Sequence, residues 1–143
     1  MHMIARDEYL QKLIDLRDTD LIKVVTGIRR CGKSTLFKLY QDYLKSNGVS
    51  NEQIISINFE DLAYEELLNY RSLYDHVKSR LISEKMNYVF LDEIQAVDQF
   101  QKAADSLYIQ DNVDLYIPGS NASLLSGDLA TLLSGRYVEI AMM

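Results

Sequence analysis

The run Gly27-Ile28-Arg29-Arg30-Cys31-Gly32-Lys33-Ser34 constrains this chain more than any other stretch. It follows Leu21-Ile22-Lys23-Val24-Val25-Thr26, a short segment rich in β-branched residues. It opens a segment in which Leu36, Phe37, Leu39, Tyr40, Tyr43 and Leu44 recur at helical spacing, and Asn47-Gly48 supplies the stop. A strand, a glycine-bounded loop and a helix in that order make an anion-binding nest. Gly27 and Gly32 admit the backbone angles that turn successive N–H groups inward, at the positive end of the helix. Lys33 is then expected to reach the β- and γ-phosphates of a nucleotide, and the Ser34 hydroxyl to ligate Mg²⁺. The expected phosphate-binding set is Gly27, Arg30, Cys31, Gly32, Lys33, Ser34 and Thr35. Two readings stand for Arg29 and Arg30, phosphate contact or solvent exposure. Two stand also for Cys31: a small neutral filler, or a thiol activated by basic neighbours.

The rest of the chain keeps the same alternation. A helix is expected over 6–17, strands over 21–26, 53–59, 88–91, 113–117 and 137–142, and helices over 33–46, 64–83, 97–110 and 121–134. The helix at 64–83 carries a candidate break at Asn69-Tyr70. Strands alternating with helices imply right-handed crossovers and a parallel sheet covered on both faces.

The strand Tyr88-Val89-Phe90-Leu91 runs straight into Asp92-Glu93. An unbroken apolar run reads as buried on both faces, and acids at its C-terminal end stand beside the crevice where open α/β sheets bind ligands. Asp92 suits a Mg²⁺ site, mostly through metal-bound water, and Glu93 suits polarising a water for attack on a γ-phosphate. Acids at a strand end also serve simply as caps.

Several classes fall away on composition and pattern. The chain has 143 residues, 48% apolar and 25% charged, with a formal net charge of −6, which fits one globular domain over 1–143 and no broad nucleic-acid footprint. One cysteine forms no internal disulfide. No apolar run approaches the roughly 20 residues that span a bilayer, and no secretory leader pattern opens the chain. The expected setting is cytoplasmic. Met1-His2-Met3 reads as an addition from cloning, and His76 has no Cys or His partner nearby for zinc. No NKxD-type guanine signature appears, the Leu-Ser-Gly triplets at 125–127 and 133–135 do not continue as in ABC ATPases, and no arginine-rich kinase lid follows residue 100.

The segments GIRRCGKSTL, NFED, FLDEIQ, YIPGSNASLL and LSGRYVEI, taken together, resemble the AAA+-like predicted ATPases of bacteria and archaea that join such a core to a C-terminal domain. The resemblance spans 21–142. It implies a P-loop NTPase three-layer α/β sandwich with strand order 5-1-4-3-2, ATP and Mg²⁺ as ligands, hydrolysis as the activity, and homo-oligomers of the full-length protein. It places a γ-phosphate sensor at Ser120 or Asn121, where a helix N-cap is the equal alternative. It places an arginine finger, acting on a neighbouring subunit, at Arg136, where a helix-end cation is the alternative. Asn58 matches a polar residue that restrains the catalytic Glu. The sequence departs from the family at Pro118, where a hydroxyl residue is usual. A proline cannot donate to a ladder, so strand pairing is expected to end there. The chain stops after the fifth strand with no lid and no C-terminal domain, as a fragment of a longer protein would. Two functional readings remain: an ATPase that is weak in isolation, and a nucleotide-dependent switch or scaffold with little turnover.

Overall fold

In a computed structural model, residues 2–27, 32–120 and 136–142 are described. Their order is α1 (His2–Leu16), β1 (Ile22–Gly27), α2 (Lys33–Ser46), β2 (Ile54–Asn58), α3 (Tyr70–Arg80), β3 (Asn87–Asp92), α4 (Phe100–Tyr108), β4 (Val113–Ser120) and β5 (Tyr137–Ala141). Short 3₁₀ turns precede β2, α3 and α4. The five strands form one sheet in the order β2-β3-β4-β1-β5, every pairing parallel. This is the expected 5-1-4-3-2 order read from the other edge. The helix expected over 121–134 lies outside the described residues, as do Asn121, Arg30 and Cys31.

Alternation along the strands assigns each side chain to a face. Val24, Val89, Leu91, Leu115 and Ile117 point to the side covered by α3 and α4, where they join Leu73, Val77, Ala103, Ala104 and Leu107. Val25, Tyr88, Phe90, Tyr116 and Ile140 point to the side covered by α1 and α2, with Leu13, Leu36, Phe37, Tyr40 and Leu44. Opposite crossing directions explain the layers. The chain passes from β1 outward to β2 through α2 and returns through α3 and α4, so a constant right hand puts α2 on one face and the returning helices on the other.

Three expected boundaries shift. The segment 64–83 divides into a 3₁₀ turn, Leu62–Leu67, and α3. Asn69 caps α3 by accepting the Ser72 N–H (2.9 Å), which is the break that the sequence suggested. The helix expected from 97 begins at Phe100, because a 3₁₀ turn, Ile94–Ala96, takes the chain away from β3 first.

The third shift is at Pro118, where the expectation that pairing ends is corrected on one side. The β1 ladder continues through Val25↔Pro118, Thr26↔Gly119 and Gly27↔Ser120, whereas the β3 ladder stops at Phe90↔Tyr116. The Glu93 N–H donates to the Pro118 carbonyl (3.2 Å). The N–H and C=O of one strand residue face the same neighbour, so the missing donor faces β3 and leaves the β1 side intact.

At the N-terminal edge of the sheet a polar network is built on a buried charge pair. The Lys23 ammonium donates to the Thr19 carbonyl (2.9 Å) and to Asp114, with both charged side chains at 0–1% exposure. Tyr116 donates to the same carboxylate (2.7 Å) and shares a hydroxyl contact with Tyr40. The Asp18 N–H donates to Asp114 as well (2.9 Å), which ties the end of α1 to the sheet. Burial pushes the Asp114 carboxyl up, against the pull of Lys23. Removing one partner of such a pair strands the other charge. Asp114→Ala is therefore expected to cost about 3–5 kcal/mol in urea unfolding. Adding Lys23→Met should recover part of that loss, because the stranded ammonium goes with it.

Candidate functional site

The C-terminal edge of the sheet holds a cleft of about 630 Å³, between the start of α2 and the ends of β2, β3 and β4. Gly32, Lys33, Ser34 and Thr35 form one wall, Asp92 and Glu93 the opposite wall, and Pro118 lines it between them. The two sequence motifs therefore meet in one cavity.

Each wall is shaped by its backbone. Gly32 sits at φ 99°, ψ 13° as the N-cap of α2, and no side chain caps the helix. A residue with a Cβ is strained at that φ, so glycine is required. The first N–H groups of α2 have no intrahelical acceptor, which leaves them and the helix dipole directed at the cleft. The Lys33 ammonium bends back to the Gly27 carbonyl (2.8 Å), closing the ends of the loop against each other. Opposite, Glu93 adopts φ 58°, ψ 41°, a left-handed conformation that costs a non-glycine residue roughly 1–2 kcal/mol. It is held there by the Pro118 carbonyl on its N–H and by Ala96, whose N–H donates to its carbonyl (3.1 Å).

The electrostatics are those of crowded carboxylates. Burial pushes the Asp92 carboxyl up to about 6; Glu93 and Glu60 add like charge, and Lys33 opposes them. Such a carboxylate gains from a cation brought beside it. Ser34 and Asp92 supply a hydroxyl and a carboxylate, the oxygen donors a hard dication takes, and Lys33 with the α2 N-terminus supplies positive potential for phosphate.

The other sequence candidates fall in different places. Asn58 lines the cleft, but its side-chain oxygen accepts the Glu60 N–H (3.0 Å), and it is Gln95 that donates to the Glu93 carboxylate. Ser120 ends β4 beside Gly27 in the ladder. Arg136 is exposed at the opposite edge of the sheet, where its carbonyl accepts the Ile22 N–H (3.0 Å). Its guanidinium lies 5.9 Å from the Tyr108 ring centre, lining a separate cleft of about 710 Å³. His76 accepts from Arg80 (3.0 Å), away from both clefts. Lys38 and Gln41 also line the first cleft. Helical spacing was the available signal for Lys38, four residues after Ser34.

A model of the AAA domain family matches residues 19–143. An uncharacterised protein of Haemophilus influenzae is 47% identical over 139 residues, covering 96% of this chain and 35% of its own length. The chain thus spans about a third of that relative. Among solved structures, a DNA polymerase III gamma subunit-related protein of Thermotoga maritima superposes with a TM-score of 0.66 at 12% identity, over 94% of this chain and 45% of the other. AMPPCP-bound DnaA of Aquifex aeolicus does so at 0.57 and 14% identity, over 95% and 44%. At such identities the two structures speak for the fold. The family match covers nearly the whole chain, and on it the chain belongs to the AAA domain family, with the ATPase-type nucleotide-binding core of that family.

Proposed function

We propose that the chain binds Mg-ATP in the cleft at the C-terminal edge of its sheet and hydrolyses it slowly, as the core of a larger ATPase. The observation that carries this reading is the meeting of Lys33, Ser34, Asp92 and Glu93 in one cavity. Lys33 and the α2 N–H groups hold the phosphates. Ser34 and Asp92 hold Mg²⁺, which when bound neutralises charge on the phosphate oxygens. Glu93 accepts a hydrogen bond from the attacking water and orients it toward the γ-phosphorus. Adenine as the base rests on the family resemblance. The single cysteine and ordinary composition suit a cytoplasmic setting. The alternative reading is a switch or scaffold that binds ATP with little turnover.

Lys33→Ala removes a charge that meets phosphate in the ground state, whereas Glu93→Gln removes a group needed only as the water attacks. Nucleotide titration and phosphate release on both variants separate the readings. Loss of binding is expected in the first, and retained binding without hydrolysis in the second. Equal turnover in wild type and Glu93→Gln selects the switch.

Asp92 carries a pH signature in metal-free protein. Its folded pKa is raised, so ionisation opposes folding: the penalty is absent below the unfolded value near 4 and is complete above about 6. Asp92→Asn is expected to raise Tm by a few degrees at pH 7.5 in EDTA. The difference should close toward pH 4, while Mg²⁺-dependent nucleotide affinity is lost at neutral pH. A Tm gap that does not change with pH excludes this account.

Arg136 stands at the opposite edge of the sheet from the cleft and so acts, in this reading, on the nucleotide of a neighbouring subunit. An arginine supplied in trans is worth about 10³–10⁵ in rate, against about 0.3–1 kcal/mol of stability for a helix-end cation. Specific activity of the full-length protein is expected to rise with concentration in wild type and to stay flat in Arg136→Ala. Identical activity at all concentrations assigns Arg136 to structure.

A further inference from the structure

We infer that Gln95 is a positioning residue for Glu93, holding one carboxylate oxygen so that the other is left for the attacking water. The inference rests on the hydrolytic reading of the cleft.

Three observations carry it. The Gln95 side-chain amide, Nε2, donates to Oε2 of Glu93. Its other end, Oε1, is buried with no hydrogen-bond partner among the described residues. The backbone between them is fixed, with Glu93 left-handed at φ 58° and its N–H and C=O bonded to Pro118 and Ala96.

An amide that served only to hold the fold would be bonded at both ends, because an unsatisfied buried acceptor costs about 1–3 kcal/mol. Among the described residues Gln95 makes one bond, to the proposed catalytic carboxylate. The consequence is directional. With Oε2 occupied by an N–H donor, Glu93 has Oε1 free to accept from water, and the carboxylate cannot rotate away without breaking the amide contact. In the step itself the water oxygen bonds to the γ-phosphorus. The bond from that phosphorus to the bridging oxygen breaks, with its electron pair leaving on ADP, and the water proton passes to Glu93 and then to the released phosphate. Gln95 takes no part in bond making. It sets which oxygen of Glu93 faces the water.

The test uses Gln95→Met, which keeps the length of the side chain and removes both polar atoms, alone and combined with Glu93→Gln in the full-length protein. Turnover of Gln95→Met is expected to fall by about ten-fold or more, a part of the roughly 10²–10⁴ that a positioned base contributes. ATP affinity should stay within about two-fold, as for an interaction needed in the transition state, and Tm should be equal or higher, since the orphan acceptor is gone. In the Glu93→Gln background the same change should cost nothing further. Wild-type turnover in Gln95→Met beside an inactive Glu93→Gln overturns the inference alone. A joint fall of Tm and affinity also overturns it, by making Gln95 a structural residue. Equal turnover in wild type and Glu93→Gln overturns the hydrolytic reading and the inference with it.

Discussion

β4 pairs with β1 on one side and β3 on the other, and this single strand sets the spacing of the cleft. Neighbouring strands lie about 4.8 Å apart, so the ends of β1 and β3 stand roughly 10 Å from each other. That gap is about what a phosphate chain with a coordinated cation fills between a P-loop and an acid pair. The order also makes β1 the point from which the chain winds outward to β2 and, later, to β5 on its other side. Such reversals open a crevice at the carboxyl ends of the strands. Were β1 and β3 direct neighbours, Ser34 and Asp92 would crowd one another; with two strands between them, no single ion would reach both.

The side chains placed there are expensive to the fold. Asp92 is pushed up to about 6, Glu93 is left-handed, and Gln95 has a buried acceptor with no partner among the described residues, all within four consecutive residues. Backbone strain and perturbed carboxylates gather at binding sites more often than elsewhere in folded chains. The apolar run before them supplies the compensation. Tyr88 to Leu91 are each at most 2% exposed, and fully burying side chains of this size contributes about 1.5–3 kcal/mol apiece.

Contiguous signals were the ones readable from sequence. The glycine loop between a strand and a helix, and the acids at the end of an apolar strand, are written in consecutive residues, so both walls of the cleft could be located. Strand alternation gave the parallel sheet, but the order came from the family resemblance, because nothing in local periodicity says which strands pair. What escaped depends on distant partners or on turns. Lys23 read as one polar residue in an apolar strand, and only the fold brings Asp114, 91 residues away, to its ammonium. The 3₁₀ turn after Glu93 breaks the helical spacing that a start at Val97 assumed. The same turn folds Gln95 back onto Glu93, a contact that no regular spacing in the sequence announces. Pro118 was read as ending a strand because sequence shows that a donor is missing and not which neighbour it faces.

The two edges of the sheet carry polar clusters of different kinds, and the same strands serve both. β1 carries Lys23 near its start and ends at Gly27, β3 carries Tyr88 near its start and ends at Asp92, and β4 carries Asp114 near its start and Pro118 near its end. At the starting edge the Lys23 ammonium is met by a carbonyl and a carboxylate, and Asp114 takes donors from Lys23, Tyr116 and Asp18. That cluster needs nothing from outside, and buried charges so paired hold α1 in place. At the ending edge, among the described residues, the Lys33 ammonium is bonded to the Gly27 carbonyl, Asp92 has Glu93 and Glu60 near it with Lys33 opposing them, and the Gln95 amide is bonded at one end. An anion carrying a cation would satisfy all three together: phosphate for Lys33 and the α2 N–H groups, a metal for Asp92, and a water for the free oxygen of Glu93.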